Sequence, residues 1–387
     1  MGQTLLKVVL ILALWAAGLL AGGQFAKVSV ILPELQAIYP ERADRVAWLL
    51  TLLSIVGAVF GGLSARIANR IGLQRCLIAA MLTAGALSLW QATYPDFAVM
   101  ALSRVAEGVT HLGIVVTAPA LMAEISAPRW RGATMALWST FFGVSFALVA
   151  WFGLPLMDAL RVSGLFQLHG VGLIVMAGVI YGLLRCLGGA GLGRAAEESE
   201  SPSGPVPLAT SSVLWPGIGW LFYTLTFLAL LTILPLQLPD GLRAEVTTVM
   251  SLVGIGVSLI VLPVALMKVR ATTVVLTGFL LAALLTALGA SQDMLALSVT
   301  LFAILGLVQG GTFAAVAELN RSTESRTLGY GVMAQTGNIG NLIGTPLLLM
   351  VLGSAGLETL LITTAGIYLL GFLSLFILMR RLHQSAP

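Results

Sequence analysis

Four ionisable side chains stand inside stretches that are otherwise apolar. Arg104, Glu107 and His111 fall within Leu102-Ser103-Arg104-Val105-Ala106-Glu107-Gly108-Val109-Thr110-His111, and Lys27 follows Gln24 by three residues in an earlier stretch. Spacings of three and four put Arg104, Glu107 and His111 on one face of a helix, within ~10 Å along its axis. Such groups are costly at membrane depth and almost always face a bundle interior or a water-filled cavity. The chemistry this set offers is proton-responsive binding. Glu107 is able to change charge as a cavity opens to either side, Arg104 and Lys27 can meet an anion, and His111 belongs to the residue type that titrates near neutral pH when unperturbed. Plainer readings stand beside this one. Arg104 and Glu107 would neutralise each other and only pin their helix to its neighbours. Lys27, in the outer half of its helix and otherwise able to pair with Glu107, would only snorkel to the headgroups.

A second set is polar but uncharged. Gln335, Asn338 and Asn341 recur every three residues, and Gln309 lies in the preceding apolar stretch. Their amides both donate to and accept from a substrate. The alternative is hydrogen bonding between helices, worth ~0.6 kcal/mol each. Glu318, Asn320 and Arg321 sit where a stretch ends and read as a gate or cap, while His169 and Tyr223 read as lone structural residues. No Gly-x-x-x-x-Gly-Lys-Ser/Thr loop is present, so no ATP-driven motor is indicated. Cys76 and Cys186 have no partner His or Asp for a metal site, no nucleophile–base pair stands out, and no motif calls for a cofactor.

The elements that must hold these residues are membrane helices. Apolar side chains make up 58% of the chain and charged ones 9%, against ~25% charged in soluble domains, so lipid is the expected solvent. Twelve apolar stretches are long enough to cross the ~30 Å hydrocarbon layer: 8–33, 46–65, 75–94, 97–123, 133–155, 165–187, 213–236, 246–267, 272–290, 294–317, 327–352 and 357–379. The first is too long for a signal-peptide core and is expected to be retained. Basic residues alternate between the gaps. Fourteen, from Lys7 through Arg66, Arg70, Arg75 and onward to Arg380 and Arg381, fall on one side, and only Arg42, Arg45, Arg161 and Arg243 on the other. The positive-inside bias then places both termini in the cytoplasm, and the net charge of +4 reflects those loops, with no nucleic-acid partner implied. The longest polar segment, 188–212, is rich in Gly, Ser, Pro and acid and reads as a linker between six-helix halves 1–187 and 213–387.

One loop carries a family resemblance. Ala65-Arg66-Ile67-Ala68-Asn69-Arg70-Ile71-Gly72-Leu73-Gln74-Arg75 resembles the signature of the major facilitator superfamily, Gly-x-x-x-Asp-Arg-x-Gly-Arg-Lys. It matches at Arg70, Gly72 and, displaced slightly, Arg75, and departs at Ala65, Asn69 and Leu73. In the family the acid caps a neighbouring helix and pairs with a base as a cytoplasmic latch. The resemblance makes Asn69, Arg70 and Gly72, with Glu318 and Arg321, a conformational gate in which Asn69 keeps a hydrogen bond but not the charge. The family also carries Arg-x-x-Gln-Gly in helix 4, its Arg linked to proton coupling; Arg104 and Gly108 match, and Glu107 replaces the Gln. The run from Ala123-Glu124 to Gly153-Leu154-Pro155-Leu156 is echoed from Ala317-Glu318 to Gly344-Thr345-Pro346-Leu347, as parallel repeats would be.

The resemblance implies an all-α membrane protein of two six-helix bundles related by a pseudo-two-fold axis, working by alternating access in a bacterial-type inner membrane. The expected function is secondary transport of a small organic solute, anionic because two bases face one acid, and coupled to protons through Glu107 and Arg104. Lys27, Gln24, Arg104, His111, Gln309, Gln335, Asn338 and Asn341 are the expected substrate contacts. A monomer is usual in the superfamily. Two alternatives remain open: a proton-driven multidrug exporter, for which Gly143 and Gly153-Leu154-Pro155 give only a loose echo of the antiporter signature, and a sensor or scaffold that moves nothing.

Overall fold

The computed structural model describes residues 2–46, 48–149, 152, 154–188, 207, 210–239, 243–289 and 293–384. Most of the linker expected over 188–212 and the residue Gly153 of the repeat lie outside the described residues. What is described is helical, with no strand. The first part of the chain forms α1 (Gly2–Val30), α2 (Leu32–Ile38), α3 (Trp48–Ile71), α4 (Leu73–Gln91), α5 (Phe97–Ile125), α6 (Arg131–Ser139), α7 (Phe141–Leu148) and α8 (Leu154–Cys186). The second part forms helices Ser211–Ile233, Arg243–Gly256, Ala271–Ala287, Met294–Leu319 and Thr323–Gln384, with a π turn at Val257–Val261 leading into Leu262–Ala265. Nine helices among the described residues are long and apolar enough to cross a membrane. This is a multi-pass membrane protein.

The burial pattern inverts that of a soluble protein. On α5, Leu102 and Val109 are 69% and 60% exposed, while Arg104 and Glu107 on the same helix are fully buried. An apolar surface of this kind is stable only against lipid.

Several boundaries differ from the sequence expectation, each for a local reason. The stretch expected as one span over 133–155 is divided at Thr140, whose amide and hydroxyl both turn back to Leu137 O at 3.2 and 2.8 Å. That three-residue closure ends α6 with a tighter turn. The chain between the stretches ending at 155 and starting at 165 stays helical except at Arg161, whose φ of 61° reverses it inside α8. Gly356, at φ 79°, likewise breaks the long last helix where two stretches were expected to separate. Between α3 and α4 the turn is a single residue, Gly72, at φ 96°, a conformation that glycine adopts without penalty.

The chain falls into two compact units, one of Met1–Ala127, Phe141–Pro205 and Ser322–Ala334, the other of Pro128–Thr140, Val206–Arg321 and Gln335–Pro387. In the first unit α4 and α8 cross at Gly85 and Gly170, where a Cβ added to either glycine would lie 2.8 Å from the other's carbonyl oxygen. Gly108 brings α5 against Val56 and Leu53 O of α3 in the same way. Val28, Ile31, Leu35, Leu49, Met100 and Phe166 form an apolar cluster beside these crossings. In the second unit Gly337, Gly340 and Gly344 lie against Trp220, Thr224 and Leu225 of helix Ser211–Ile233.

Candidate functional site

The close crossings of the first unit converge on a buried polar cluster. α1 contributes Gln24 and Lys27, α4 Ser88 and Gln91, α5 Ser103, Arg104, Glu107, Thr110 and His111, and α8 His169; all are nine-tenths or more buried. Glu107 is the hub. Its Oε1 lies 2.8 Å from Lys27 Nζ, and its Oε2 accepts from Arg104 Nη1 and, at 2.8 Å, from Gln91 Nε2. All three donors reach one carboxylate, two of them from cationic groups, and such charge-assisted bonds are the strong kind.

The two cations are held differently. Arg104 donates Nε to Leu49 O and Nη2 to Gln24 O, both at 2.9 Å, so it ties the main chains of α3 and α1 to α5. All three guanidinium nitrogens thus donate, and the planar group acts as a clamp. Lys27 touches only side chains: Glu107, Ser88 Oγ at 3.0 Å, Gln91 Oε1 at 3.1 Å and His169 Nδ1 at 3.3 Å, with the Phe166 ring 4.9 Å away. Four acceptors compete for three ammonium protons, and the four-carbon stem can redistribute them without moving a helix. His169 Nε2 donates to Leu20 O at 2.8 Å, which leaves Nδ1 as an acceptor facing the ammonium. His111 Nδ1 lies 3.0 Å from Gln24 Oε1, while Gln24 Nε2 donates to Thr110 Oγ1 at 3.3 Å. Phe25 packs edge-on against His111 at 5.1 Å and against Phe142 at 5.7 Å, and Phe142 continues to Phe146 at 4.9 Å. The ionic cluster therefore adjoins an aromatic wall. Lys27, Arg104 and Glu107 together carry one net positive charge.

Five of the residues read from sequence thus come together: Gln24, Lys27, Arg104, Glu107 and His111. Lys27 pairs with Glu107 and is 1% exposed, so it does not snorkel. Ser88, Gln91, Ser103, Thr110 and His169 are not among the site residues expected from sequence. The signal for two of them was present: Ser88 and Gln91 are spaced by three in an otherwise apolar helix, as Arg104 and Glu107 are.

The uncharged candidates belong to the second unit. Gln309 accepts from Tyr223 Oη at 3.1 Å and donates to Ser139 O at 2.5 Å, with Tyr223 stacked between Trp220 and Phe227 at 4.7 and 5.0 Å. Gln335, Asn338 and Asn341 are half-buried along helix Thr323–Gln384. Glu318 is a cap: its Oε2 accepts Ala271 N–H at 2.6 Å and its Oε1 accepts Arg270 Nε and Thr272 Oγ1, both at 3.0 Å. Arg321 is exposed. In the first unit Asn69 Nδ2 donates to Glu324 O at 3.3 Å, a bond that an aspartate there could not make, and Arg70 is exposed. The described residues hold no group of three or more His, Cys, Asp or Glu able to bind a metal.

The family model of the Major Facilitator Superfamily matches residues 14–323. The chain belongs to the major facilitator superfamily. Its members are transporters and not enzymes. Among curated proteins it is similar to the 3-(3-hydroxy-phenyl)propionate transporter of Escherichia coli (strain K12), 28% identical over 390 residues that cover 97% of this chain and 92% of the relative. Among solved structures it is similar in fold to the proton:xylose symporter XylE, with a TM-score of 0.75, 14% identity, and coverage of 97% of this chain and 96% of that one. The human organic anion transporter MFSD10 gives a TM-score of 0.74 at 16% identity, covering 95% and 99%. These likenesses support a secondary transporter of small solutes.

Proposed function

We propose that this protein moves a small organic carboxylate together with a proton across a bacterial inner membrane, by alternating access of six-helix halves 1–187 and 213–387, with both termini cytoplasmic and the monomer as the working unit. The observation that carries the reading is the pair of buried cations on one carboxylate, of which only Lys27 is held by side chains alone. Protonation of Glu107 releases Lys27, and a substrate carboxylate takes the place of the lost charge. The empty cluster and the cluster loaded with proton and monoanion then carry the same net charge, so both cross the low-dielectric core at similar electrostatic cost. Arg104 keeps the helices in register, and His111 and Gln24 line the approach. Gln309, Gln335, Asn338 and Asn341 orient the remainder of the solute from the other half. Asn69, Arg70, Gly72, Glu318 and Arg321 act as the conformational gate.

The relative's substrate, by its name an aryl propionate, fits the reading. It joins a carboxylate to a ring, as the ionic cluster joins Phe25, Phe142 and Phe146. The test is thermal stabilisation of the detergent-purified protein by aryl propionates, aliphatic carboxylates and lipophilic cations at two pH values. An aryl propionate raises the midpoint, more at the lower pH, and Lys27→Met removes the shift. Stabilisation by lipophilic cations in its place would move the protein to drug efflux.

A further inference from the structure

Four acceptors face the Lys27 ammonium: Glu107 Oε1 at 2.8 Å, Ser88 Oγ at 3.0 Å, Gln91 Oε1 at 3.1 Å and His169 Nδ1 at 3.3 Å. Each neutral one is turned toward it by a bond on its far side. Ser88 gives its single hydroxyl proton to Phe166 O at 2.8 Å, so it does not also supply His169 Nδ1, 3.1 Å away. Gln91 directs Nε2 to Ser103 Oγ at 3.0 Å and to Glu107 Oε2 at 2.8 Å, while Ser103 passes its own proton to Met100 O at 2.6 Å. His169 donates from Nε2 to Leu20 O at 2.8 Å. Its ring rests on Gly23, where a Cβ would lie 3.1 Å from His169 Cδ2. The Phe166 ring adds a cation–π contact at 4.9 Å.

Protonation of Glu107 has one open place. Oε2 already accepts from Arg104 Nη1 and Gln91 Nε2, so the proton goes to Oε1, the oxygen that faces Lys27. The ammonium then loses one acceptor of its four, and three remain for its three protons. We infer, on the reading proposed above, that Ser88, Gln91 and His169 form a neutral cage that keeps Lys27 an ammonium ion while Glu107 carries the proton. His169 is the positioning residue that completes it. Without the third acceptor an internal transfer competes: the Nζ–H bond breaks, an O–H bond forms at Glu107 Oε1, and a neutral amine faces a neutral acid. No proton has then come from water, and Lys27 has no charge left to meet an anion. The cage thus makes the proton and the anion bind to different groups. The other ionisable side chains acting on this cluster are Arg104 and His111 from α5. α3 meets it through the Leu49 carbonyl and α4 through neutral Ser88 and Gln91, and α7 has no ionisable residue.

The test is titration calorimetry of the detergent-purified whole protein with 3-phenylpropionate at neutral pH, in two buffers of different ionisation enthalpy, which counts the protons taken up per bound anion. Wild type takes up one. Glu107→Gln, an uncharged stand-in for the protonated carboxyl, takes up none, because its Lys27 is already an ammonium ion. Glu107→Gln/His169→Leu takes up one again, and its affinity falls about tenfold for each unit of rising pH, since Lys27 must now gain a proton to bind. Glu107→Gln/His169→Asn, whose amide oxygen takes the place of Nδ1, takes up none. Uptake by Glu107→Gln itself overturns the inference. So does a Leu protein that binds as Glu107→Gln does without uptake, or one whose lost binding acid does not restore. Wild type that binds without proton uptake, or does not bind, overturns the proposed function and the inference with it. If Glu107→Gln does not fold, single substitutions decide by stopped flow. His169→Leu then slows association about tenfold or more at unchanged affinity, because the empty protonated form becomes rare, and His169→Asn does not. An unchanged rate, or affinity lost in step with the rate, overturns the cage.

Discussion

At the scale of residues, the central fact is an imbalance: two buried cations share one buried carboxylate. Removing Glu107 therefore does more than delete a bond, because it leaves Lys27 and Arg104 buried together and uncompensated. Glu107→Gln is expected to lower stability by about 3–5 kcal/mol. Adding Lys27→Met to that variant removes one of the opposed charges and recovers about 0.5–3 kcal/mol, a coupling read from a double-mutant cycle of unfolding midpoints in detergent. Strictly additive losses would mean that Lys27 and Glu107 do not interact in the folded protein. Much of this site was legible in the sequence, since Arg104, Glu107 and His111 share a helix face by spacing alone, and Lys27 stands out as a charge in an apolar run. Ser88 and Gln91 show only their spacing of three, which does not tell a site from hydrogen bonding between helices, and His169 has no polar residue at helical spacing beside it. Their role emerges only where α4 and α8 cross beside Lys27.

At the scale of elements, the crossing of α4 and α8 positions the cluster. A Cβ at Gly85 would lie 2.6 Å from Ile174 Cγ1 and 2.8 Å from Gly170 O, so Gly85→Ala must push the helices apart. That carries Ser88, about one turn along α4, and Gln91, nearly two turns along, away from Lys27. The expected cost is about 1–3 kcal/mol of stability, together with loss of carboxylate-induced stabilisation. Gly178→Ala on α8, where nothing lies within 4 Å, changes stability by no more than about 0.5 kcal/mol. Equal effects of the two substitutions in thermal unfolding would remove the crossing from the account. Sequence could not single out Gly85 among 43 glycines, because close approach depends on the partner helix. Gly337, Gly340 and Gly344, at spacings of three and four, mark a small face by their spacing alone. The breaks at Thr140 and Arg161 were not, since they arise from local turns within apolar sequence that hydropathy reads as continuous.

At the scale of the whole molecule, the fold was legible because membrane helices announce themselves by length and the segment 65–75 resembles the family signature; the family match over 14–323 agrees. The solute was not, because it is set by cavity shape and charge spread over helices distant in sequence. The account stands on charge balance: a proton and a monoanion travel together, with no net charge moved. The direct measurement is aryl propionate uptake into proteoliposomes, driven either by a pH gradient at zero potential or by a potassium diffusion potential at equal pH. The predicted result is concentrative uptake into alkaline-inside vesicles and none driven by potential, with Lys27→Met inactive in both. Uptake driven by potential without a pH gradient, or uptake in Lys27→Met equal to wild type, would contradict the account.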